Sequence, residues 1–335
     1  MIRDKKKYSK NAKFYTVTIG GKIYIQGTNT LLEGVVEIPH GVFSIAPQSF
    51  MNRHEITEVI IPDTVEKIDV GAFIYCTSLR KVTIPNSVKC IERNAFHGTA
   101  LESVVLPDSI EYIGENAFGF CEKLEDVKFT RGTDKIPANC FYKCSSLEHI
   151  DIPDTVKYIG ISAFGRCYSL DNVVIPESVE TIQGGAFEFC ENLNSISITD
   201  KTTYIGVCAF AKHKRKESVE VPPEPVRAYK AFDRKDGRLV CRNFTYWEDG
   251  IFETEYAEMC YKGFHACTDP LDVFSYYSGI IGDTVEVHEV LLEGIPDDID
   301  PRNCDDSKLV GTKITIGRKL SLSEISKIHN GLVMG

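Results

Sequence analysis

One period of 23 residues runs through the first two-thirds of the chain and constrains its architecture more than any other feature. Phe50, Phe73, Phe96, Phe118, Phe141, Phe164, Phe187 and Phe210 follow one another at steps of 23, 23, 22, 23, 23, 23 and 23. Ile38, Ile61, Ile84, Leu106, Phe129, Ile152, Ile175 and Ile198 keep the same steps, and most are followed by Pro. Two series locked in phase mark a solenoid, in which no coil can bury its apolar row alone and stacking supplies the core. In the unit Leu79-x-x-Val82-x-Ile84-Pro85-x-x-Val88-x-x-Ile91-x-x-x-Ala95-Phe96, the spacing of two between Val82 and Ile84 predicts a short strand with one face buried, and Pro85 ends it. The 22-residue step falls where His97-Gly98-Thr99-Ala100 replaces a Cys-bearing turn, a deletion that repeat loops tolerate.

Cys76, Cys121, Cys144, Cys167 and Cys190 recur at intervals of 45, 23, 23 and 23, so they occupy one position of the repeat and are expected to stack as small buried thiols. The start, Met1-Ile2-Arg3-Asp4-Lys5-Lys6-Lys7, has no apolar signal-peptide core, and no apolar run reaches the roughly 20 residues of a membrane helix. The expectation is a cytoplasmic protein with reduced cysteines and no membrane partner. Net charge is −10, and basic residues cluster only at Lys5, Lys6, Lys7 and Lys10 and at Lys212, Lys214, Arg215 and Lys216, which argues against direct nucleic-acid binding.

Four segments are expected. Residues 1–34 form a tail and a β-hairpin cap, because two alternating runs, Phe14 to Ile19 and Lys22 to Gln26, flank Gly20-Gly21. Residues 35–212 form the repeats. Residues 213–225 form a Pro-rich linker containing Pro222, Pro223 and Pro225, and residues 226–335 form a small acidic α+β domain. Within that domain, Tyr229 to Phe232, Leu239 to Tyr246, Gly263 to Cys267 and Thr284 to Val290 read as strands. Leu271 to Tyr277 reads as a short amphipathic helix capped by Thr268-Asp269-Pro270. The segment from Asp305 to Ile316 leads on to a last helix started by Ser321 or Ser323.

The motif L-x-x-V-x-I-P-x-S/T-V-x-x-I-x-x-x-A-F-x-x-C, with Thr64-Val65, Ser87-Val88, Thr155-Val156 and Ser178-Val179 at one turn position, resembles the BspA-like leucine-rich repeat family over residues 35 to 210. The resemblance implies a curved solenoid of short parallel strands that line its concave side. One unit departs from the pattern: Phe129-Thr130 lacks the Pro and Cys140-Phe141 replaces Ala-Phe.

On each repeat strand the residues between the buried positions point outward, giving two columns. They hold Glu58 and Ile60, Lys81 and Thr83, Ser103 and Val105, Asp126 and Lys128, His149 and Asp151, Asn172 and Val174, and Ser195 and Ser197. A rigid sheet displaying varied side chains suits protein binding, so Glu58, Lys81, Thr83, Asp126, Lys128, His149, Asp151 and Asn172 are the candidate partner-binding residues. His149 beside Asp151 reads as a solvated neighbour pair rather than an acid-base pair.

The run C-x-x-G-F-H-A-C-x-x-P-L-D-V-x-x-Y-Y at Cys260 to Tyr277 resembles a domain of unknown function of phage and bacterial proteins, over residues 227 to 325. This implies a phage or prophage setting, in which the chain binds and inhibits a host or defence protein in the host cytoplasm. The order of elements also resembles that of ADP-ribosyltransferases. That likeness implies an alternative in which NAD is the cofactor, His265 and Tyr277 hold nicotinamide and its ribose, and Glu286 or Glu289 stabilises the oxocarbenium-like centre. The family's Arg and Ser-Thr-Ser elements are missing from the sequence. Under the binding reading there is no cofactor and no metal: Cys260, His265 and Cys267, with Cys241 or Cys304, lack a standard zinc spacing and read as core thiols beside an imidazole. Asp297-Asp298-Ile299-Asp300 reads as a solvated acidic loop.

Overall fold

The structure, a computed structural model, describes residues 14–28, 32–129, 132–211, 226–235, 238–241, 244–246, 251–253, 264–267, 269–275, 279–280, 285–293, 308–311 and 313–334. The repeats build a β-solenoid of about eight turns with parallel strands. The chain packs as two compact units, Met1–Val173 and Val174–Gly335.

In the first unit the expected hairpin forms: strands Phe14–Ile19 and Lys22–Thr28 pair antiparallel, and Gly20 and Gly21 supply the positive φ of 57° and 78° that a two-residue turn demands. Lys22–Thr28 then pairs parallel with Val42–Ile45, so the hairpin covers the first coil. Successive coils add strands to two columns. One column contains Gly34–Glu37, Ile56–Ile60 and Lys81–Thr83. The other runs through Val42–Ile45, Lys67–Ile68, Cys90–Ile91 and Tyr112–Ile113.

The Phe series forms the spine. Phe50 through Phe164 are fully buried, and successive rings stack at 5.1 to 5.6 Å with interplanar angles of 6 to 10°. The amides of Phe50, Phe73, Phe96, Phe118, Phe141 and Phe187 donate to a carbonyl of the next coil, as in Phe50 N to Ala72 O at 2.9 Å and Phe118 N to Cys140 O at 3.0 Å. The turn around each Phe is made by two left-handed residues. One lies two positions before the ring (Gln48, Gly71, Asn94, Asn116, Asn139, Ser162) and the other two positions after it (Asn52, Tyr75, Gly98, Phe120, Lys143, Arg166). Gly and Asn at the first site tolerate this conformation; Tyr75 and Phe120 at the second hold it against their side-chain preference.

The periodic cysteines are buried, as their spacing predicts, and they also hydrogen-bond. Sγ of Cys76, Cys121, Cys144 and Cys167 donates to the carbonyl of Phe50, Phe96, Phe118 and Phe141 respectively, at 3.0 to 3.2 Å, tying each coil to its predecessor. Burial pushes the Cys76 thiol up to about 12 and the Cys121 thiol to about 11, so both stay protonated at neutral pH. In the shortened coil Thr99 takes this place, with Oγ1 on Phe96 O at 2.9 Å and 3.2 Å from Cys121 Sγ.

In the second unit the repeat continues, with Phe187 stacked on Phe210 at 5.5 Å, and is joined by an eight-stranded sheet. Its order is Phe244–Tyr246, Arg238–Cys241, Val226–Lys235, Val285–Glu293, Lys313–Leu320 and Ile251–Glu253, with Phe264–Cys267 and Lys308–Gly311 branching from Val226–Lys235. Val226, Ala228, Phe232, Val290, Leu292, Ile314 and Ile316 pack its core. Two sequence readings are corrected. Leu239 to Tyr246 is two strands folded back on each other, Cys241 opposite Phe244. The segment read as a helix from Leu271 is a single 3-10 turn, Asp272–Ser275, because four residues cannot offset the nucleation cost of an α-helix. Lys308–Gly311 and Lys313–Leu320 are separate strands with different partners.

The last helix, Leu322–Met334, starts on a capping box. Ser321 Oγ accepts from Glu324 N, and Glu324 Oε2 accepts from Ser321 N at 2.9 Å, which settles Ser321 as the cap. The Ser321 amide, then the Arg318 guanidinium at 2.6 Å, hold the Glu324 carboxyl below its ordinary value of 4.5. Because the folded value is the lower one, this contribution is complete above pH 4.5 and is lost as pH falls through the depressed folded value. Glu324→Gln is therefore expected to lower the melting temperature at pH 7 and to lower it progressively less as pH falls below 4.5, a comparison that thermal unfolding across pH makes directly.

Candidate functional site

The strand face of the first unit carries the expected outward residues. Lys81, Thr83, Asp126, Lys128 and Asn172 are exposed and Glu58 is half-buried, because the strand alternation turns Val59, Val82, Val127 and Val173 inward; His149 and Asp151 are exposed on either side of buried Ile150, but the strand expected there does not form. Glu58 and Lys81 lie opposite each other on adjacent strands, with Lys81 Nζ 3.1 Å from Glu58 Oε1. Lys128 Nζ is 3.8 Å from Asp126 Oδ2. The partner of His149 is not Asp151: its Nδ1 sits 3.3 Å from Asp171 Oδ1 of the following coil, and Asn172 Nδ2 donates to the same oxygen.

A third column, two residues before buried Val59, Val82, Val104, Val127, Ile150 and Val173, escaped the sequence reading. It holds Thr57, Arg80, Glu102, Glu125 and Glu148, all exposed, and half-buried Asp171. Backbone bonds align it: Arg80 N donates to Thr57 O, Glu102 N to Arg80 O and Glu125 N to Glu102 O, at 2.9 to 3.1 Å. Three glutamates thus follow one another along stacked coils, where like charges on neighbouring strands cost stability. The signal was in the sequence: these residues recur at the repeat period, two before the buried Val or Ile, but the outward columns were read only from the positions flanking that residue.

In the second unit, side chains satisfy the edge of Ser195–Ser197, the end strand of its sheet. Asn330 Oδ1 accepts from Ile196 N and Asn330 Nδ2 donates to Ile196 O, both at 3.0 Å, so one amide side chain imitates the peptide of an adjacent strand. Ser326 Oγ donates to Ile196 O and accepts from Ile198 N. Asp200 accepts from both the amide and the hydroxyl of Ser323 at 3.0 Å. Gly279–Ile280 pairs antiparallel with Tyr204–Ile205, and Phe274 O accepts from Cys208 N at 2.7 Å, in the place that the next coil would fill. The sheet and helix that follow the repeats therefore act as their C-terminal cap.

The residues proposed for NAD chemistry are distributed as follows. Glu286 and His288 share one face of Val285–Glu293 with Lys230, Phe232 and Lys319 on the neighbouring strands. Glu286 Oε2 is 3.3 Å from His288 Nε2 and Glu286 Oε1 is 2.9 Å from Lys319 Nζ. His288 Nδ1 lies 2.9 Å from Gly317 O. Lys230, Glu286 and His288 are all buried. Glu289 points to the opposite face, level with Tyr229, and Arg318 Nη2 approaches it at 3.2 Å. Burial, then the Glu289 charge, pushes the Tyr229 phenol up. His265 lies on Phe264–Cys267 in register with Val310, and Tyr277 falls outside the described residues. The two glutamates thus cannot serve one site. Of the zinc candidates, Cys241 and Cys267 are buried and form no disulfide among the described residues, and Cys260 and Cys304 lie outside the described residues. Among the described residues no group of three or more His, Cys, Asp or Glu is arranged to hold a metal ion, and no helix is long and apolar enough to cross a membrane.

The model of the BspA type leucine rich repeat region matches residues 43–137 and 134–232, over half of the chain. The chain belongs to the BspA-type leucine-rich-repeat family. Residues 226–328 of this leucine-rich-repeat protein match a domain of unknown function, DUF7666. Similar solved structures include a leucine-rich repeat protein of T. pallidum, at 24% identity over 55% of this chain and 78% of that one, with a TM-score of 0.40. Another is a leucine-rich repeat protein from Eubacterium ventriosum, at 24% identity over 62% of this chain and 52% of that one, with a TM-score of 0.45. The pneumococcal vaccine antigen PcpA is 18% identical over 64% of this chain and 69% of that one, with a TM-score of 0.44. No curated protein matches the chain.

Proposed function

We propose that this leucine-rich-repeat protein is a protein-binding module whose recognition surface is the strand face of its first unit. The observation that carries the reading is the display of outward side chains from half-buried Glu58 through exposed Asn172, flanked by the column of Glu102, Glu125 and Glu148. Side chains on a stacked sheet lose little freedom on docking, so a modest number of contacts yields specificity. These glutamates, in no ion pair among the described residues, favour a partner with a basic surface and make association fast at low salt. In the phage or prophage setting implied by the C-terminal sequence, the partner is a host protein and occupation of its surface inhibits it.

The test is capture of partners from host cytosol by the full chain, beside a variant carrying Lys81→Glu, Asp126→Lys and Lys128→Glu. A specific partner is expected to bind the parent about tenfold or more tightly than the variant, a difference of about 1.4 kcal/mol, and to weaken as salt rises. A partner that binds both equally at every salt concentration would place recognition elsewhere on the protein.

A further inference from the structure

The hairpin strand Phe14–Ile19 ends its six-stranded sheet, and among the described residues no strand pairs with its outer edge. Free edges invite pairing, and proteins normally blunt them with charge or Pro. This one, Phe-Tyr-Thr-Val-Thr-Ile, has neither charge nor Pro in six residues, and Tyr15 and Ile19 are 57% and 62% exposed. Its one irregularity is a register shift between Tyr15 and Thr16.

We infer that this edge is an interface between two copies of the chain, which pair antiparallel through Phe14–Ile19 about a two-fold axis at Val17. The argument is self-complementarity. In the tight turn Ile19 and Lys22 exchange the closing hydrogen bond, so ladder alternation directs the Ile19 and Val17 backbone groups inward and those of Thr18 and Thr16 toward the open edge. A two-fold axis at Val17 then sets Thr16 of each copy opposite Thr18 of the other as hydrogen-bonded pairs. It leaves Val17 against Val17 as the non-bonded pair and sets Tyr15 level with Ile19. Thr–Thr and aromatic–β-branched pairs are favourable cross-strand neighbours, and no like charges meet, because the strand carries none. The pairing is isologous, so it closes at two copies rather than growing into a fibre. One strand pair is a small interface, and a dissociation constant of about 10 to 100 μM is expected.

The experiment is light scattering on the full chain up to about 200 μM, with Val17→Lys, which places like charges on the axis, and Thr18→Pro, which removes an outward donor and leaves the hairpin ladder intact. The parent is expected to approach twice the mass of one chain, and both variants to stay monomeric with unchanged unfolding midpoints. Should Thr18→Pro unfold, Val17→Lys decides alone, because the Val17 side chain is not buried. The register is checked by oxidation. Val17→Cys, at a non-bonded pair with Cα atoms about 4.5 Å apart, forms a disulfide-linked dimer absent from the parent and from Thr16→Cys. A monomeric parent at the highest concentration, self-association that survives both variants, or an edge that pairs only with a foreign strand overturns the inference.

Discussion

Phe118→Ala is expected to destabilise the protein by about 3 to 5 kcal/mol, read as the shift in a denaturant unfolding curve. Phe118 is fully buried and stacks on Phe96 and Phe141 at 5.4 and 5.6 Å, so truncation removes contacts on both ring faces and leaves a cavity inside a ladder that cannot collapse onto itself. The amides on either side are fixed by bonds to the next coil, Asn116 N to Ala138 O and Phe120 N to Tyr142 O, which hold the backbone open around the hole. Since a solenoid is stabilised by nearest-neighbour interfaces, the lesion weakens two interfaces at once. Phe120→Ala is the matched control. That side chain is 37% exposed at a φ of 60°, and its loss is expected to cost less than half as much. Equal losses at the two positions would show that the stacked spine is not the principal support of the coil.

The spine was legible in the sequence because burial, steric fit and the tight turn all act on the same two residues of every unit, and that coincidence repeats at a fixed step. The hairpin was legible for a related reason: Gly20-Gly21 between alternating runs leaves one geometry. The left-handed position after each Phe was hidden, because Tyr75, Phe120, Lys143 and Arg166 are residues that avoid it and tertiary hydrogen bonds hold them there. The glutamate column was missed because its register is set by the coil-to-coil ladder and not by the strand's own alternation. In the C-terminal segment no repeat enforces a register. The pairing of Cys241 with Phe244 therefore left no signature that a run of apolar residues could reveal, and the amide of Asn330 could not be matched to Ile196 across 134 residues. The side of the strand on which Glu286 and Glu289 fall depends on spacing alone, and three residues apart means opposite faces.

That spacing leads to the second large effect. Glu286→Ala is expected to cost about 3 to 5 kcal/mol, because it strips the carboxylate from beside buried His288 and the Lys319 ammonium, on a face that also buries Lys230. Glu286→Gln retains shape and one acceptor and is expected to lose less. A structural role makes a further demand that a catalytic one does not. Replacing Lys230, Glu286 and His288 together by Met, Leu and Leu removes the buried titratable side chains described on this face and is expected to recover most of the stability lost by Glu286→Ala, since a buried polar cluster and a well-packed apolar one are often of similar stability. Chemical denaturation of the parent, the single variants and the triple variant distinguishes the cases. An unchanged midpoint for Glu286→Gln and Glu286→Ala would mean that the carboxylate is not held there for stability, and assays of NAD cleavage would then become the next measurement.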